Sequence, residues 1–337
     1  MGQVESHATT GPSILRARNT TLVERTLISR IGFASDLLRS VARVRTSYSS
    51  WFRVLSLAYS RGPYPAKLKH RYRGNLTLNS NQEALIFSYP PLQLRPPGTA
   101  CELRVESVDG AVMRLSLDCG GLSRLITVSG LHRCQDLGVL LGDEYRDLPV
   151  SGKTVVDVGA SIGDSPIYFA LKGARRVIAY EPDPIDFGLL TDNVRANGLD
   201  NVIFPKNGFV CAEPSSSSSP GRLRGSVPSR NLEATAAVSV SAVTLQDVLS
   251  RERVTSGACL KMDCEGDEYG IIATSSPDTL RCFSSIILEY HYGYRSLAKR
   301  LAAIGFRVSV TPPRYFSVRG NQSFPMYVGL LTAWVPS

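Results

Sequence analysis

The residues after Gly152 alternate between short apolar runs and longer amphipathic stretches. Short runs rich in β-branched residues favour buried strands, and the stretches between them have the length and spacing of helices. Strands that alternate with helices pair in parallel through crossover connections. The pattern therefore predicts a doubly wound, Rossmann-like α/β sheet of seven strands, over residues 154–158, 176–181, 202–206, 258–263, 284–290, 306–310 and 326–334.

Two other patterns precede this domain. Apolar residues recur at steps of three and four over residues 21–44, which predicts an amphipathic helix, and a second helical piece is expected from Tyr48 to Tyr59. From Leu76 to Leu131, β-prone stretches alternate with Pro- and Gly-rich turns, including a hairpin signal at Asp109-Gly110. The expected organisation is a basic helical segment (1–75), a small β-rich region (76–147) and the α/β domain (148–337), with a mobile Ser/Pro-rich loop at 213–230.

Positive charge is concentrated in the N-terminal segment. The chain carries a net charge of +9, and residues 1–73 hold thirteen Lys or Arg against three acidic residues. We favour a helical cap packed on the rest of the protein; the alternative is a basic helix that binds an anionic membrane surface or nucleic acid. No apolar run is long enough to span a membrane and the N-terminus lacks the layout of a secretory signal, so a cytoplasmic location is expected.

Seven cysteines are spread along the chain without regular pairing. A chain of 337 residues can bury a large core, so it does not need the disulfides of small secreted domains. No C-x-x-C motif is present, and no metal site is expected. We therefore predict that the cysteines are mostly reduced core residues.

The most informative segment runs from Thr154 to Ser165, with the sequence TVVDVGASIGDS. It predicts a buried strand, a turn in which Gly159 and Gly163 let a ligand approach the backbone, and a helix. The glycine spacing is G-x-x-x-G, not the G-x-G-x-x-G of dinucleotide sites, and acidic residues flank the turn at positions 157 and 164. Carboxylates repel a pyrophosphate but suit a ligand that carries an ammonium and a sulfonium group. The turn therefore favours S-adenosylmethionine over a nicotinamide dinucleotide.

Polar residues lie at the carboxyl ends of the following strands. Glu181 ends the second strand, where it can accept the ribose hydroxyls of an adenosyl group; the alternative is a solvated strand-end carboxylate. Asn207 follows the third strand and is expected either to contact adenine or to form an Asn-Gly turn. Four carboxylates between residues 263 and 268 follow the fourth strand, some of them functional and some capping a helix. The fifth strand brings Glu289 and His291 to the same rim.

Together these segments resemble the FkbM-type methyltransferases. Val156–Asp164 is similar to the D-V-G-A-N-I-G-D signature of that family, with Ser161 in place of the usual Asn, and Leu260–Gly266 is similar to its L-K-I-D-V-E-G block. The Ser-rich insertion after Cys211 departs from the family pattern. The resemblance covers residues 148–310, and the other segments that carry it are Glu181-Pro182, Val243–Leu249 and Ile287–His291.

The resemblance implies a class I methyltransferase fold and methyl transfer from S-adenosylmethionine to a hydroxyl oxygen of a sugar or small metabolite. An unactivated hydroxyl also needs a base, for which the candidates are Asp263, Glu268 and His291. His291 has the most suitable unperturbed pKa, and the alternative for it is a structural histidine. The residues expected to bind the cofactor are Asp157, Gly159, Ala160, Ile162, Gly163, Asp164, Glu181, Pro182, Asp183, Asn207 and Asp263.

Two alternatives to the methylation of a small-molecule or glycan acceptor stay open. In the first, the acceptor is an RNA base and the arginine-rich N-terminal segment binds phosphates, although no Asn-Pro-Pro-Tyr-like tetrapeptide of base methylation occurs. In the second, the chain is a noncatalytic membrane-surface adaptor that retains a methyltransferase fold.

Overall fold

The computed structural model of the chain describes residues 38–59, 64–96, 98–133, 138–213, 240–317 and 325–336. Most of the helix predicted over residues 21–44, and all but the first residue of the loop predicted over 213–230, lie outside these ranges. Within them, no helix is both long enough and apolar enough to cross a membrane.

The described N-terminal residues form two helices and a β-hairpin that pack onto the rest of the protein. Val44, Tyr48 and Val54 are fully buried in a core that they share with the α/β domain, so this part of the segment packs as a cap. The hairpin was not part of the predicted basic helical segment over residues 1–75, because an alternation of five residues is too short to distinguish a strand from a loop. The elements are α1 (residues 38–47), α2 (Trp51–Tyr59), β1 (Ala66–His70) and β2 (Gly74–Leu78).

An antiparallel sheet follows the short helix α3 (Asn81–Ile86). The predicted turn at Asp109-Gly110 is confirmed, because it joins two long antiparallel strands and Gly110 has a positive φ angle of 56°. The four strands pair in chain order, and they are β3 (Leu92–Leu94), β4 (Cys101–Asp109), β5 (Val112–Cys119) and β6 (Leu122–Ser129).

A disulfide joins Cys101 to Cys119, which corrects the prediction of mostly reduced cysteines for this pair. The two residues lie directly opposite each other at the open end of the β4–β5 hairpin. Sequence spacing does not give the register of a hairpin, and only the register brings the two sulfur atoms together. The free cysteines of the described residues are Cys211, Cys259, Cys264 and Cys282.

The central sheet confirms the α/β prediction but exceeds the predicted strand count. Eight strands lie side by side in the order β10-β9-β8-β7-β11-β12-β15-β13, and β14 pairs with β15 outside this row. All seven predicted strands are present; the additional strands β10 and β14 have three and four residues, too few to show a periodicity. The strands are β7 (Thr154–Val158), β8 (Arg176–Glu181), β9 (Ile203–Val210), β10 (Ser241–Val243), β11 (Ala258–Met262), β12 (Phe283–Tyr290), β13 (Arg307–Val310), β14 (Arg314–Ser317) and β15 (Pro325–Trp334).

Helices cover both faces of this sheet. Neighbouring residues of β7 illustrate the two faces, because Val155 belongs to the core that includes the N-terminal cap and Val156 belongs to the opposite core. This two-sided burial makes the sheet doubly wound, as predicted. The helices are α4 (Gly138–Gly142), α5 (Asp164–Leu171), α6 (Pro184–Ala196), α7 (Leu245–Arg251), α8 (Glu268–Thr274), α9 (Pro277–Arg281) and α10 (Arg295–Ala303).

Two asparagines, Asn193 of α6 and Asn197 at its C-cap, connect the antiparallel sheet to the α/β domain. The side-chain amide of Asn197 both donates to and accepts from the backbone of Thr127 on β6, at 2.7 and 2.8 Å. The amide of Asn193 pairs with the backbone of Ser129 in the same way and also donates to the carbonyl oxygen of Ile162 at 2.8 Å. The edge of β6 is therefore satisfied by side chains of a helix, and the small sheet is held beside the segment that follows β7.

Candidate active site

A glycine turn connects β7 to α5 at the carboxyl edge of the sheet. The backbone N–H groups of Gly159 and Ala160 both donate to the carbonyl oxygen of Tyr180 on β8, at 3.0 Å. Gly159 and Gly163 have φ angles of +78° and +97°, and Ser161 between them is left-handed at +46°. Residues other than glycine rarely adopt such angles, so the turn holds strained backbone at the edge where a ligand is expected.

The turn also packs against the end of β11. A Cβ atom at Gly159 would lie 1.8 Å from the carbonyl oxygen of Asp263. The N–H group of Asp263 donates to the carbonyl oxygen of Val158 at 3.0 Å, which extends the pairing of β7 with β11. Gly159 is therefore required by the close approach of two backbones, and this approach brings Asp263 to the turn.

A buried ion pair that the sequence analysis did not identify lies below the turn. Lys261 Nζ is 3.0 Å from Asp157 Oδ1 and donates to the carbonyl oxygen of Gly159 at 2.6 Å, and the two side chains are 2% and 0% exposed. Burial lowers the pKa of Lys261, but the charges of Asp157, Asp263 and Asp164 and the hydrogen bond with Asp157 together outweigh it and raise that pKa above the usual value. Asp157 also accepts the Ser165 hydroxyl at 2.7 Å, so it supports the turn from within the core. The available signal was a lysine inside an otherwise apolar strand.

Glu181, at the end of β8, lies beside the turn. Its Oε2 accepts the N–H group of Ser161 and its Oε1 accepts the N–H group of Asp183, each at 2.8 Å. The side chain is 7% exposed, and burial raises the pKa of Glu181 to about 7 against the effect of these two hydrogen bonds. A carboxylate offers about four lone-pair sites, so both oxygens can accept further hydrogen bonds from a ligand.

The other predicted cofactor residues near the turn divide into buried and capping positions. The side chains of Ala160 and Ile162 are fully buried in the core. Asp164 lies in the first turn of α5, where burial raises its pKa to about 7. Asp183, which follows Pro182, caps α6 by accepting two backbone N–H groups of that helix.

Asn207 lies inside β9, so the alternative of an Asn-Gly turn is wrong. Its Nδ2 donates to the carbonyl oxygens of Glu181 and Pro182, at 2.9 and 3.4 Å. Strand β9 continues past the predicted end at residue 206 because β10 pairs with it from Gly208 onwards. The Asn207 side chain thus holds the backbone at the end of β8, where Glu181 is the residue predicted to bind the ribose.

Three potential ligand atoms meet beyond β11 and β12. Asp263 follows β11, Glu289 lies near the end of β12, and His291 follows β12, which pairs in parallel with β11. One side-chain donor atom from each lies within 4.8 Å of the other two, and we call this group the acidic rim. The Asp263 and Glu289 side chains are 30% and 20% exposed, whereas His291 is 4% exposed. The rim is therefore open to solvent on the side of its carboxylates.

His291 is surrounded by carboxylates. Its Nδ1 lies 3.1 Å from Oε1 of the fully buried Glu268, and its Nε2 lies 3.7 and 3.6 Å from carboxylate oxygens of Asp263 and Glu265. Burial lowers the pKa of His291, but the hydrogen bond with Glu268 and the three negative charges raise it to about 10. Because a protonated imidazole has no free lone pair, His291 in this state cannot accept a proton, whatever its unperturbed pKa. Glu268 lies behind His291 and positions its ring.

Comparison with known proteins finds one family model that matches the described α/β domain. Residues 157–308 match the model of the methyltransferase FkbM domain. No curated protein matches the chain. Among solved structures, the chain is similar to a putative transferase from Pyrococcus horikoshii, with 15% identity over 68% of this chain and 74% of that chain and a TM-score of 0.36.

Two further solved structures show a similar degree of likeness. A putative RNA methyltransferase from Pyrococcus horikoshii has 14% identity over 59% of this chain and 78% of that chain, with a TM-score of 0.34. A precorrin-6y C5,15-methyltransferase from Geobacter metallireducens has 16% identity over 60% of this chain and 93% of that chain, with a TM-score of 0.34. Likeness this distant says nothing about what the chain acts on.

Proposed function

The chain contains a methyltransferase FkbM domain over residues 157–308, and from this premise we propose that it transfers the methyl group of S-adenosylmethionine to a hydroxyl oxygen of a sugar or small metabolite. The observation that carries the proposal is the contact between the Glu181 carboxylate and the N–H group of Ser161 in the glycine turn. This contact joins the expected ribose acceptor to the backbone against which the nucleoside would lie.

The residues at this edge fit the cofactor. The Glu181 carboxylate is held in place by two backbone N–H groups and keeps acceptor capacity for ribose hydroxyls. Asp263, whose backbone carbonyl packs against Gly159, has a carboxylate that is 30% exposed, and this negative charge favours a positive ligand at the same edge. When bound, S-adenosylmethionine supplies a methyl group already activated by a sulfonium, so much of the work left to the protein is positioning.

The acidic rim is the proposed place of the acceptor hydroxyl. Asp263 and Glu289 are carboxylates with exposed surface, and such groups can accept the hydroxyl proton. His291, as a cation held by the Glu268 carboxylate, would orient the acceptor oxygen by donating a hydrogen bond from Nε2.

Substitution of Glu181 by glutamine tests the cofactor site. We expect S-adenosylmethionine to bind at least about tenfold more weakly, because hydrogen bonds to a charged acceptor contribute about 1.5–3 kcal/mol each and tenfold corresponds to about 1.4 kcal/mol. Isothermal titration calorimetry measures the affinity. The matched control is Asp192→Asn, which removes an exposed carboxylate from the same region on α6 and should leave binding unchanged. Equal affinity in wild type and in a folded Glu181→Gln protein would refute the assignment.

Cofactor binding should also strengthen as the pH rises. Burial raises the pKa of Glu181 to about 7, so below that pH Glu181 is protonated in the ligand-free protein. The ionised carboxylate is the better acceptor for the ribose hydroxyls, so Glu181 must release this proton when the cofactor binds. Asp164, with a pKa raised to about 7, acts in the same direction. We expect the affinity to fall by up to about tenfold per pH unit below pH 7, with a weaker dependence in Glu181→Gln. A flat profile between about pH 5.5 and 7.5 would contradict the proposal.

The same raised pKa has the opposite effect on the stability of the ligand-free protein. A carboxyl group with a folded pKa above its unfolded value binds its proton more tightly in the folded state. Its stabilising contribution is complete below the unfolded pKa of 4.5 and is lost as the pH rises through about 7. As the pH rises towards 7, the affinity for the cofactor, measured by titration calorimetry, should therefore increase. The contribution of Glu181 to the free energy of unfolding, measured by denaturation without cofactor, should decrease.

A further inference from the structure

We propose that the acidic rim binds a divalent cation of the Mg²⁺ or Mn²⁺ type through Asp263, Glu289 and His291. The prediction of no metal site rested on the absence of cysteine motifs, which a site of carboxylates and one histidine does not need. Glu289 and His291 lie two residues apart at the end of β12, and Asp263 meets them only because β11 and β12 are parallel neighbours, with Met262 opposite Leu288. Their donor atoms, two carboxylate oxygens and one imidazole nitrogen, lie within 4.8 Å of one another.

The orientation of His291 is an independent indication of a ligand. The Nδ1 atom is hydrogen-bonded to the fully buried carboxylate of Glu268, and this bond fixes the orientation of the ring. The Nε2 atom then points at the rim, where the nearest carboxylate oxygens of Asp263 and Glu265 are 3.7 and 3.6 Å away, beyond hydrogen-bond distance. A buried histidine with a carboxylate behind it and its other nitrogen free of hydrogen bonds is the usual arrangement of a metal ligand.

Carboxyl groups outnumber cationic groups at the rim. Asp263, Glu265, Glu268 and Glu289 bring four carboxylates to this region. Among the described residues, the cationic groups within 4.0 Å of these carboxylates are His291 itself and a guanidinium nitrogen of Arg314, which is 3.9 Å from Glu289. A divalent cation would offset this repulsion, and on binding it His291 Nε2 would release its proton and become a ligand in place of a hydrogen-bond donor to the acceptor.

The donor set and its spacing indicate the class of ion. Carboxylate oxygens suit Mg²⁺ and Mn²⁺, and an imidazole nitrogen favours Mn²⁺ of the two. At bond lengths of about 2.1 Å, donors of an octahedral ion are about 3 Å apart when adjacent and about 4.2 Å apart when opposite. Small side-chain rotations would close the present spacing, and the exposed side of the rim leaves the remaining positions to water or substrate.

This inference deepens the proposed function and rests on it in one respect, the identity of the acceptor. An acceptor with two adjacent oxygen atoms, such as a vicinal diol, could occupy two open positions of the ion, which would lower the pKa of the reacting hydroxyl. The bond from oxygen to the methyl carbon would form as the carbon–sulfur bond breaks, with its electron pair going to sulfur. With the ion bound, Asp263 and Glu289 serve as ligands, so the hydroxyl proton would pass instead to Glu265, which is partly exposed and outside the ligand set.

Titration of the full-length protein with Mn²⁺ tests the site without any turnover. Electron paramagnetic resonance of the free ion should show one saturable site in wild type, and Mg²⁺ should compete for it. Glu289→Gln and His291→Gln should each weaken Mn²⁺ binding by at least about tenfold. Asp278→Asn, which removes a 97% exposed carboxylate on α9, is the matched control and should bind like wild type.

Absence of saturable Mn²⁺ binding to wild type would overturn the inference even if a variant failed to fold. Equal affinity in Glu289→Gln, His291→Gln and wild type would overturn it as well. Affinity for S-adenosylmethionine, measured in chelator without metal, separates this failure from failure of the proposed function. If wild type binds no Mn²⁺ but binds S-adenosylmethionine in a way that depends on Glu181, only the cation site is rejected. If wild type binds Mn²⁺ but S-adenosylmethionine binding does not depend on Glu181, only the cofactor site is rejected.

Discussion

Replacement of Gly159 by alanine is expected to destabilise the protein by at least about 3 kcal/mol and to abolish cofactor binding. The residue has a φ angle of +78°, and an added Cβ would lie 1.8 Å from the Asp263 carbonyl oxygen and 2.8 Å from its carbon. Both obstructing atoms belong to the backbone of Asp263, directly after the central strand β11, so they cannot move aside as a flexible side chain would. Urea denaturation measures the stability, and calorimetric titration measures the binding.

Gly257→Ala is the matched control for this substitution. Gly257 also has a positive φ angle, +88°, but nothing lies within 4 Å of its added Cβ. Its substitution should therefore cost only the penalty for a left-handed residue, about 1–2 kcal/mol, and should leave cofactor affinity unchanged. Equal costs at the two glycines would show that the contact between the turn and β11 is not as close as described.

Substitution of Lys261 by methionine is expected to cost about 3–5 kcal/mol, because it leaves the Asp157 carboxylate buried without its partner. The Gly159 carbonyl oxygen would lose its 2.6 Å hydrogen bond as well, so the glycine turn should loosen and cofactor binding should weaken. Denaturant unfolding monitored by circular dichroism gives the stability.

Two further variants make the Lys261 result specific. Lys206→Met removes the cation of a surface ion pair with Glu252, 2.7 Å long and with the lysine 37% exposed, and should cost about 1 kcal/mol or less. Adding Asp157→Leu to Lys261→Met removes the orphaned charge and should recover part of the lost stability. If Lys261→Met were no more costly than Lys206→Met, the buried pair would not hold the turn.

Much of the α/β domain could be predicted from local patterns. The seven predicted strands are all present, and helix α6 begins at Pro184 directly after the Asp183 cap. The glycine turn was also predictable, because a buried apolar run followed by G-x-x-x-G fixes a strand, a tight turn and a helix within twelve residues. The short strands β10 and β14 were missed because they exist only through pairing with longer neighbours.

The positions of the candidate site residues could be predicted from the sequence, but their roles could not. Sequence placed Glu181, Asp263 and His291 at the carboxyl edge of the sheet, since parallel strands bring their ends to one side. It did not show that Lys261 supports the turn, or that three carboxylates keep His291 protonated. Those properties depend on distances between side chains from different strands.

By itself, the sequence determined where the chain forms strands, helices and the glycine turn, because hydrophobic periodicity and backbone preference act over a few neighbouring residues. The tertiary structure alone decided the Cys101–Cys119 disulfide, the asparagine contacts between α6 and β6, and the charge of His291. Register, burial and electrostatic fields arise between residues that are distant in the chain, and no local pattern encodes them.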